Sequence, residues 1–495
     1  MNDLNLIYII VPLLLMVFFL FRIFPVWKNR DRGCDAFYFL LCAETFNKER
    51  KVPITLPYLY LLEYPEQWYP PLFSVFTGML PQDWLKKRFW LLNHLLDAVV
   101  MLLLFVLTFF LAGLPCACAA GLIYALNPAQ TFEFSTMTSR SLALLFFIFF
   151  MFFGELALLS SLWYAVPAVL LVAILIYTHK LTIQLLWFLC AFLSLMEWNL
   201  LWILLLAAGY LLAVAVYPSM FWKILKAHFD ITSFWYKNWM YLNVNQVEES
   251  PIYGTPKEVG KRNGFFKGNF IAMWLFLGRK VFTSNPWILT SLMAFTVWGS
   301  LGRLEDFLLF AVLGIYAWGG LTLAVPALRC LGEGTKYVKY AKPFSLLLTA
   351  LLFMEHASVF LVGIIILCAL TELVYYAAVC RFLSKSTVDT LDSETVKVIE
   401  ILKADENART LCLPLHLADM LAYYSRRPVL WGTHVYTFRD VQPFFPRILE
   451  PLDFFVKKYH LTYILLKKEY VMPEKLRLEN LEVVFEGKIY ILLKA

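Results

Sequence analysis

Charge is what this sequence has least of. Asp, Glu, Lys and Arg together supply 16% of its 495 residues, where an ordinary soluble domain carries about 25%. That scarcity, beside 61% hydrophobic residues, excludes a disordered chain, a collagen-like chain and a small disulfide-stapled domain. Chemical signatures are missing as well. There is no Walker A, GxGxxG, HExxH or GxSxG segment, so nucleotide binding, zinc proteolysis and serine hydrolysis lose their usual support. The nine cysteines are scattered, several inside apolar runs (Cys116, Cys118, Cys190). They form no CxxC pair and no Cys/His ladder with zinc spacing. Internal repeats and low-complexity tracts are also lacking.

What is present is apolar and aromatic: 44 Phe, 26 Tyr and 16 Trp. A soluble core does not need that much apolar surface, and the composition points to a polytopic membrane protein. The net charge of +7 is mild. Its basic residues sit mostly in loops between apolar runs, which suits anionic headgroups or phosphates and argues against a nucleic-acid partner.

Residues 4–24 form the first apolar run, and a bilayer crossing takes about 20 residues. It lacks a basic leader and a small-residue cleavage site, so it reads as a retained helix. A long polar stretch, 25–88, follows; loops of that size are usually functional. Further runs lie at 91–112, 115–126, 141–159, 162–177, 181–196, 200–216, 287–298, 307–325, 344–353 and 359–380. Between them, 217–264 is polar and 265–281 reads as interfacial. The expected architecture is a polytopic α-helical membrane protein of about eleven spans, residues 1–383, with a small soluble α/β domain at 384–495. In that domain 409–415, 428–431 and 463–466 read as strands, 416–424 as a helix, and 481–485 with 489–493 as a closing hairpin.

With the N-terminus in the cytoplasm, eleven spans bring every polar-rich segment to the non-cytoplasmic face: 25–88, 127–140, 178–180, 217–264, 329–342 and the terminal domain. The positive-inside rule points the other way, although it weakens for long loops.

Five segments can carry chemistry. In Gly33-Cys34-Asp35-Ala36-Phe37-Tyr38, Asp35 is either a general base at the membrane surface or a helix N-cap. Glu63 and Glu66 lie among rings and prolines in Glu63-Tyr64-Pro65-Glu66-Gln67-Trp68-Tyr69-Pro70-Pro71, which suits a sugar-stacking surface or a rigid interfacial loop. Arg140, in Thr138-Ser139-Arg140, either grips a phosphate or snorkels. His179 and Lys180 mark either a phosphate contact or a plain span end. Gly332-Glu333-Gly334-Thr335-Lys336-Tyr337 combines turn glycines with Lys336 and Tyr337. Asp97, His94 and Glu155 lie inside runs and should face the bundle interior; Glu155 reads as structural.

Taken together, the Asp in the first outer loop, the Tyr69-Pro70-Pro71-Leu72 segment, the Thr-Ser-Arg entry and the Gly-Glu-Gly-x-Lys-Tyr loop resemble the GT-C superfamily of integral membrane glycosyltransferases. The nearest shapes are the protein mannosyltransferase and aminoarabinose transferase group. The resemblance implies a polyprenyl-phosphate-linked sugar donor, a glycan, lipid or protein acceptor, and a multi-pass protein of the plasma or inner membrane. It implies Asp35 as general base with inversion, and a lipid phosphate held by Arg140, His179, Lys180, Glu333, Lys336 and Tyr337. Many members pair the Asp with an adjacent second acid, absent here. Glu63 or Glu66 is the remaining candidate, and a divalent metal (Mg or Mn) is the one cofactor that the resemblance admits. Two other functions compete: a transporter or flippase of an amphipathic lipid, which calls for midplane polar groups and repeats, and a membrane scaffold.

Overall fold

The computed structural model describes residues 3–53, 56, 58–241, 250–252, 270–385, 390–413, 415–434, 436–469 and 481–495. Most of the polar segment 217–264 after residue 241, and the start of the interfacial run at 265–281, lie outside the described residues. The chain divides into two compact units: Met1–Arg30, Trp90–Pro218 and Trp274–Ser386 form one, and Asp31–Phe89, Ser219–Met273 and Thr387–Ala495 the other.

The first unit is helical and apolar. Among the described residues, five helices are long and apolar enough to cross a membrane: Asn5–Ile23, Gln82–Ala125, Arg140–Leu159, Arg303–Ala324 and Val359–Lys385. Four shorter apolar helices accompany them: Leu162–Ile176, Lys180–Met196, Leu201–Val216 and Ile288–Ser300. The segment read as a short span at 344–353 is the helix Lys342–His356, which is buried from Lys342 to Leu352.

The helical run Gln82–Ala125 has 44 residues, about 66 Å if straight, or twice a bilayer's hydrocarbon core. It is not straight. Tyr124 Oη donates to Asp97 Oδ1 at 2.6 Å, although 27 residues of helix would separate them by about 40 Å. The chain doubles back at Gly113, whose φ of +77° is closed to most residues, just ahead of Pro115, which has no N–H to give. The run is two helices, divided where 91–112 and 115–126 part in the sequence.

The same contact closes a buried polar knot. Arg22 Nη2 lies 3.0 Å from Asp97 Oδ2, with both side chains fully buried. The guanidinium also donates to the Asn127 carbonyl at 2.6 Å, Thr131 Oγ1 at 2.6 Å and the Tyr124 carbonyl at 3.0 Å. These bonds offset the desolvation of the pair. Arg22→Met should leave Asp97 buried without its partner and cost about 3–5 kcal/mol, seen as a lower thermal midpoint in detergent; an unchanged midpoint would mean that water already reaches Asp97. Glu155, read as structural, lies 3.5 Å from Arg303, which also stands 3.2 Å from Glu197.

In the second unit the polar stretch after the first span is ordered. It contains α-helices Cys34–Glu49 and Leu72–Met79. They pack so tightly that a Cβ on Gly78 would stand 2.7 Å from the Phe46 ring. The terminal part carries a four-stranded sheet in the order β1-β2-β4-β3: β1 (Thr410–Leu413), β2 (Tyr463–Lys467), β3 (Glu482–Glu486) and β4 (Tyr490–Lys494). β1 and β2 are parallel; β2–β4 and β3–β4 are antiparallel. The apolar runs of β1, β2 and β4 are buried, as strands covered on both faces should be. The segment expected as a strand at 428–431 forms only bridges, Val429 pairing with both Thr410 and Tyr60. Leu61 N and Leu62 N donate to the Val429 and Leu430 carbonyls, each at 3.0 Å. The first polar stretch is therefore hydrogen-bonded into the terminal sheet.

Candidate functional site

In the first unit, four basic side chains meet at one cavity. Arg140 opens the helix Arg140–Leu159. Its turn is held by Asn93, buried in the Gln82–Ala125 run: Asn93 Nδ2 donates to the Thr136 carbonyl at 2.7 Å, and Ser141 Oγ donates to Asn93 Oδ1 at 3.1 Å. The Thr-Ser-Arg entry is thus pinned from a neighbouring helix. Arg140 pairs with Glu133 Oε1, and Lys339 Nζ lies 2.5 Å from Glu133 Oε2. Glu133 ends the short helix Pro128–Glu133, which is capped by Asn127 Oδ1 accepting from the N–H groups of Ala129 and Gln130 at 3.1 and 3.3 Å.

His179 precedes the helix Lys180–Met196. Its Nδ1 lies 2.9 Å from Thr182 Oγ1, which in turn lies 2.8 Å from Tyr340 Oη. Arg140, His179, Lys336, Lys339, Glu133 and Gln130 line a narrow cavity of about 20 Å³. A second, larger cavity, about 480 Å³, shares Glu133, Lys336 and Lys339 and has an apolar side formed by Tyr375, Val379 and Phe382 among others. Lys280 and Glu333 line it too, 3.3 Å apart. Burial opposes ionisation of Glu333, but Lys336 and Lys280 outweigh it and hold the carboxyl below its ordinary range.

Three of the residues expected at a phosphate, Arg140, His179 and Lys336, therefore converge. Glu333 stands at the adjoining cavity. Lys180 and Tyr337 line neither; Lys180 is buried at its helix start, and the Tyr337 hydroxyl donates to the Leu331 carbonyl. The two loop glycines serve packing. Gly332 has φ +123°, and a Cβ on Gly334 would stand 1.9 Å from the Gly319 carbonyl oxygen. Sequence reasoning missed Glu133, whose only signal was a lone acid in the 127–140 loop.

In the second unit, Asp35 lies in the first turn of Cys34–Glu49, one residue past the first helical position, and the N-cap is Gly33. A carboxylate there is favoured by the helix dipole. Cys34 Sγ donates to Asp35 Oδ1 at 3.3 Å, and His434 Nε2 lies 3.4 Å from the same oxygen. His434 was also missed. The other acids are engaged apart: Glu63 Oε1 accepts from Leu56 N at 2.5 Å, and Glu66 lies 3.3 Å from Lys226 at an exposed surface. Among the described residues no group of three or more His, Cys, Asp and Glu is placed to hold a metal. Asp35 and His434 offer two ligands, one short of the usual protein set for a catalytic zinc.

No family model matches the sequence, and no curated protein matches it by sequence. Solved structures do match. The oligosaccharyltransferase of Archaeoglobus fulgidus in its apo form aligns over 93% of this chain and 69% of its own, with TM-score 0.60 and 11% identity. This chain has the GT-C fold. The same archaeal enzyme, AglB, in complex with an inhibitory peptide and a dolichol-phosphate, aligns with TM-score 0.51 at 11% identity, over 93% of this chain and 69% of its own. ArnT from Cupriavidus metallidurans bound to undecaprenyl phosphate aligns over 99% of this chain and 98% of its own, at 12% identity and TM-score 0.48. A GT-C fold is a multi-pass membrane architecture, and the apolar helices of the first unit agree with it. At these identities the likeness speaks for the fold; activity has to be argued from the site.

Proposed function

We propose that this GT-C chain is a glycosyltransferase that moves a sugar from a polyprenyl-phosphate donor to an acceptor hydroxyl at the non-cytoplasmic membrane face. The observation that carries the reading is the cavity where Arg140, Lys336, Lys339 and His179 converge beside an apolar-walled groove. A lipid phosphate has this dual character, an anionic head on a hydrocarbon tail. Fixed cations in a partly dry site stabilise the charge that develops on the leaving phosphate. Tyr375, Val379 and Phe382 are suited to the first isoprene units. Glu333 holds Lys280 at the rim, and Lys180 and Tyr337 brace the elements that carry His179 and Lys336.

Asp35 is the general base. It takes the proton of the acceptor hydroxyl as that oxygen attacks the anomeric carbon from the face opposite the phosphate, so the configuration inverts. The archaeal fold neighbour was solved with a dolichol-phosphate, which supports this donor class. The 1–383 segment carries the membrane chemistry, and the 384–495 segment helps to enclose the acceptor.

Purified protein in lipid nanodiscs should transfer labelled sugar from a polyprenyl-phosphate donor; no transfer with any such donor would sink the reading. With eleven spans, single cysteines at 35, 179 and 336 and in the terminal domain should all label from one side of sealed vesicles. Labelling of position 336 from the side opposite to 35 would refute a shared site.

A further inference from the structure

We propose that His434 is a positioning residue for Asp35, supplied by the terminal domain, which receives the proton that Asp35 takes from the acceptor. The inference rests on Asp35 as general base and adds what resets it.

The placement of His434 is built in several ways. Residue 433 is anchored to Asp419, which is fully buried. Thr433 N donates to Asp419 Oδ2 at 3.0 Å, and Thr433 Oγ1 donates to the same oxygen. Tyr60 Oη donates to Asp419 Oδ1 at 2.6 Å. Glycine alone fits at 432, where a Cβ would stand 2.3 Å from Asp419 Oδ1. The imidazole is then held among three rings, with centroids 4.3 Å from Tyr69 and 5.2 Å from both Tyr38 and Phe39. Its Nε2 faces Asp35 Oδ1 at 3.4 Å and has no hydrogen-bond partner among the described residues. A buried polar atom without a partner is costly, and catalytic hydrogen bonds are often long before substrate binds. With its proton on Nδ1, the ring presents a lone pair at Nε2 towards the carboxyl.

The step balances. The acceptor O–H bond breaks as its oxygen forms the new bond to the anomeric carbon. The bond from that carbon to the phosphate oxygen breaks, and the phosphate leaves with the electron pair. The proton goes to Asp35, then to His434 Nε2; the imidazolium so formed gives up its Nδ1 proton to water, and Asp35 is again a carboxylate.

The test is sugar transfer in nanodiscs by wild type, His434→Gln and His434→Ala. Gln preserves a polar side chain but cannot take up a proton near neutral pH. Both variants should lose kcat by at least about tenfold with the donor KM unchanged. Added imidazole should restore the Ala variant and leave the Gln variant low. In an Asp35→Asn background, His434→Ala should cost nothing further, because the two act as one unit. Gln at wild-type kcat, an Ala variant that imidazole does not restore, or a full additional loss in the Asp35→Asn background each overturns the proposal. An inactive wild type overturns this proposal and the general-base reading together, whereas an active wild type with an unaffected His434→Gln overturns this one alone.

Discussion

Asp35→Asn lowers sugar transfer by about 10²–10⁴-fold, the usual contribution of a general base, while affinity for the donor lipid stays as in wild type. The amide keeps the shape and the first-turn position of Asp35 in Cys34–Glu49 but cannot accept the acceptor's proton. The donor phosphate is assigned to Arg140, His179, Lys336 and Lys339, whose charges the change leaves in place, so its binding should persist. Transfer kinetics and lipid-phosphate binding, measured on the same preparation, separate the two effects. A folded Asp35→Asn protein with undiminished kcat would remove the general-base role. A protein that loses donor binding in parallel would assign Asp35 to the donor.

Substitutions at the basic cavity should move donor binding in opposite directions. Each charge-assisted contact to phosphate contributes roughly 1.5–3 kcal/mol, and 1.4 kcal/mol is about tenfold. Arg140→Ala and Lys336→Ala should each weaken polyprenyl-phosphate binding by about ten- to a hundredfold, with losses that fail to add if both touch one phosphate. Glu133 has the contrary role. Its carboxylate occupies Arg140 and Lys339 and competes with any incoming anion. Glu133→Gln should therefore tighten binding by about tenfold. Isothermal titration with a short-chain prenyl phosphate reads both signs. Weaker binding in Glu133→Gln would mean that the carboxylate organises the two cations more than it competes for them.

Much of the membrane unit could be read from the chain because hydrocarbon imposes a simple rule of length and apolarity. The division at Gly113 was visible from the glycine and the proline that follows. Of the cavity residues, Arg140 and His179 were visible at the ends of apolar runs and Lys336 in the Gly-Glu-Gly-x-Lys-Tyr loop. Their convergence depends on Asn93, Asn127 and the Gly319–Gly334 contact, which are long-range or loop features with no periodic signal. A helix at Cys34–Glu49 was legible from the N-cap reading of Asp35, whereas Leu72–Met79 was hidden in a stretch that reads as polar. That stretch is tied to the terminal sheet through Tyr60 and its neighbours, a pairing between segments almost 370 residues apart. His434 was unreadable for the same reason, since nothing near it marks an acid 400 residues earlier as its neighbour. The second acid expected from Glu63 or Glu66 has a physical counter-reading: both carboxylates have partners of their own, Leu56 N and Lys226.

The most direct test of the central claim follows both halves of a doubly labelled donor, sugar and polyprenyl phosphate, through one reaction in sealed proteoliposomes. A glycosyltransferase of the kind proposed releases one polyprenyl monophosphate for each sugar transferred, and NMR of the product finds the anomeric configuration opposite to the donor's. Intact donor recovered from the other leaflet, with no monophosphate formed, would contradict the account and make the chain a lipid flippase.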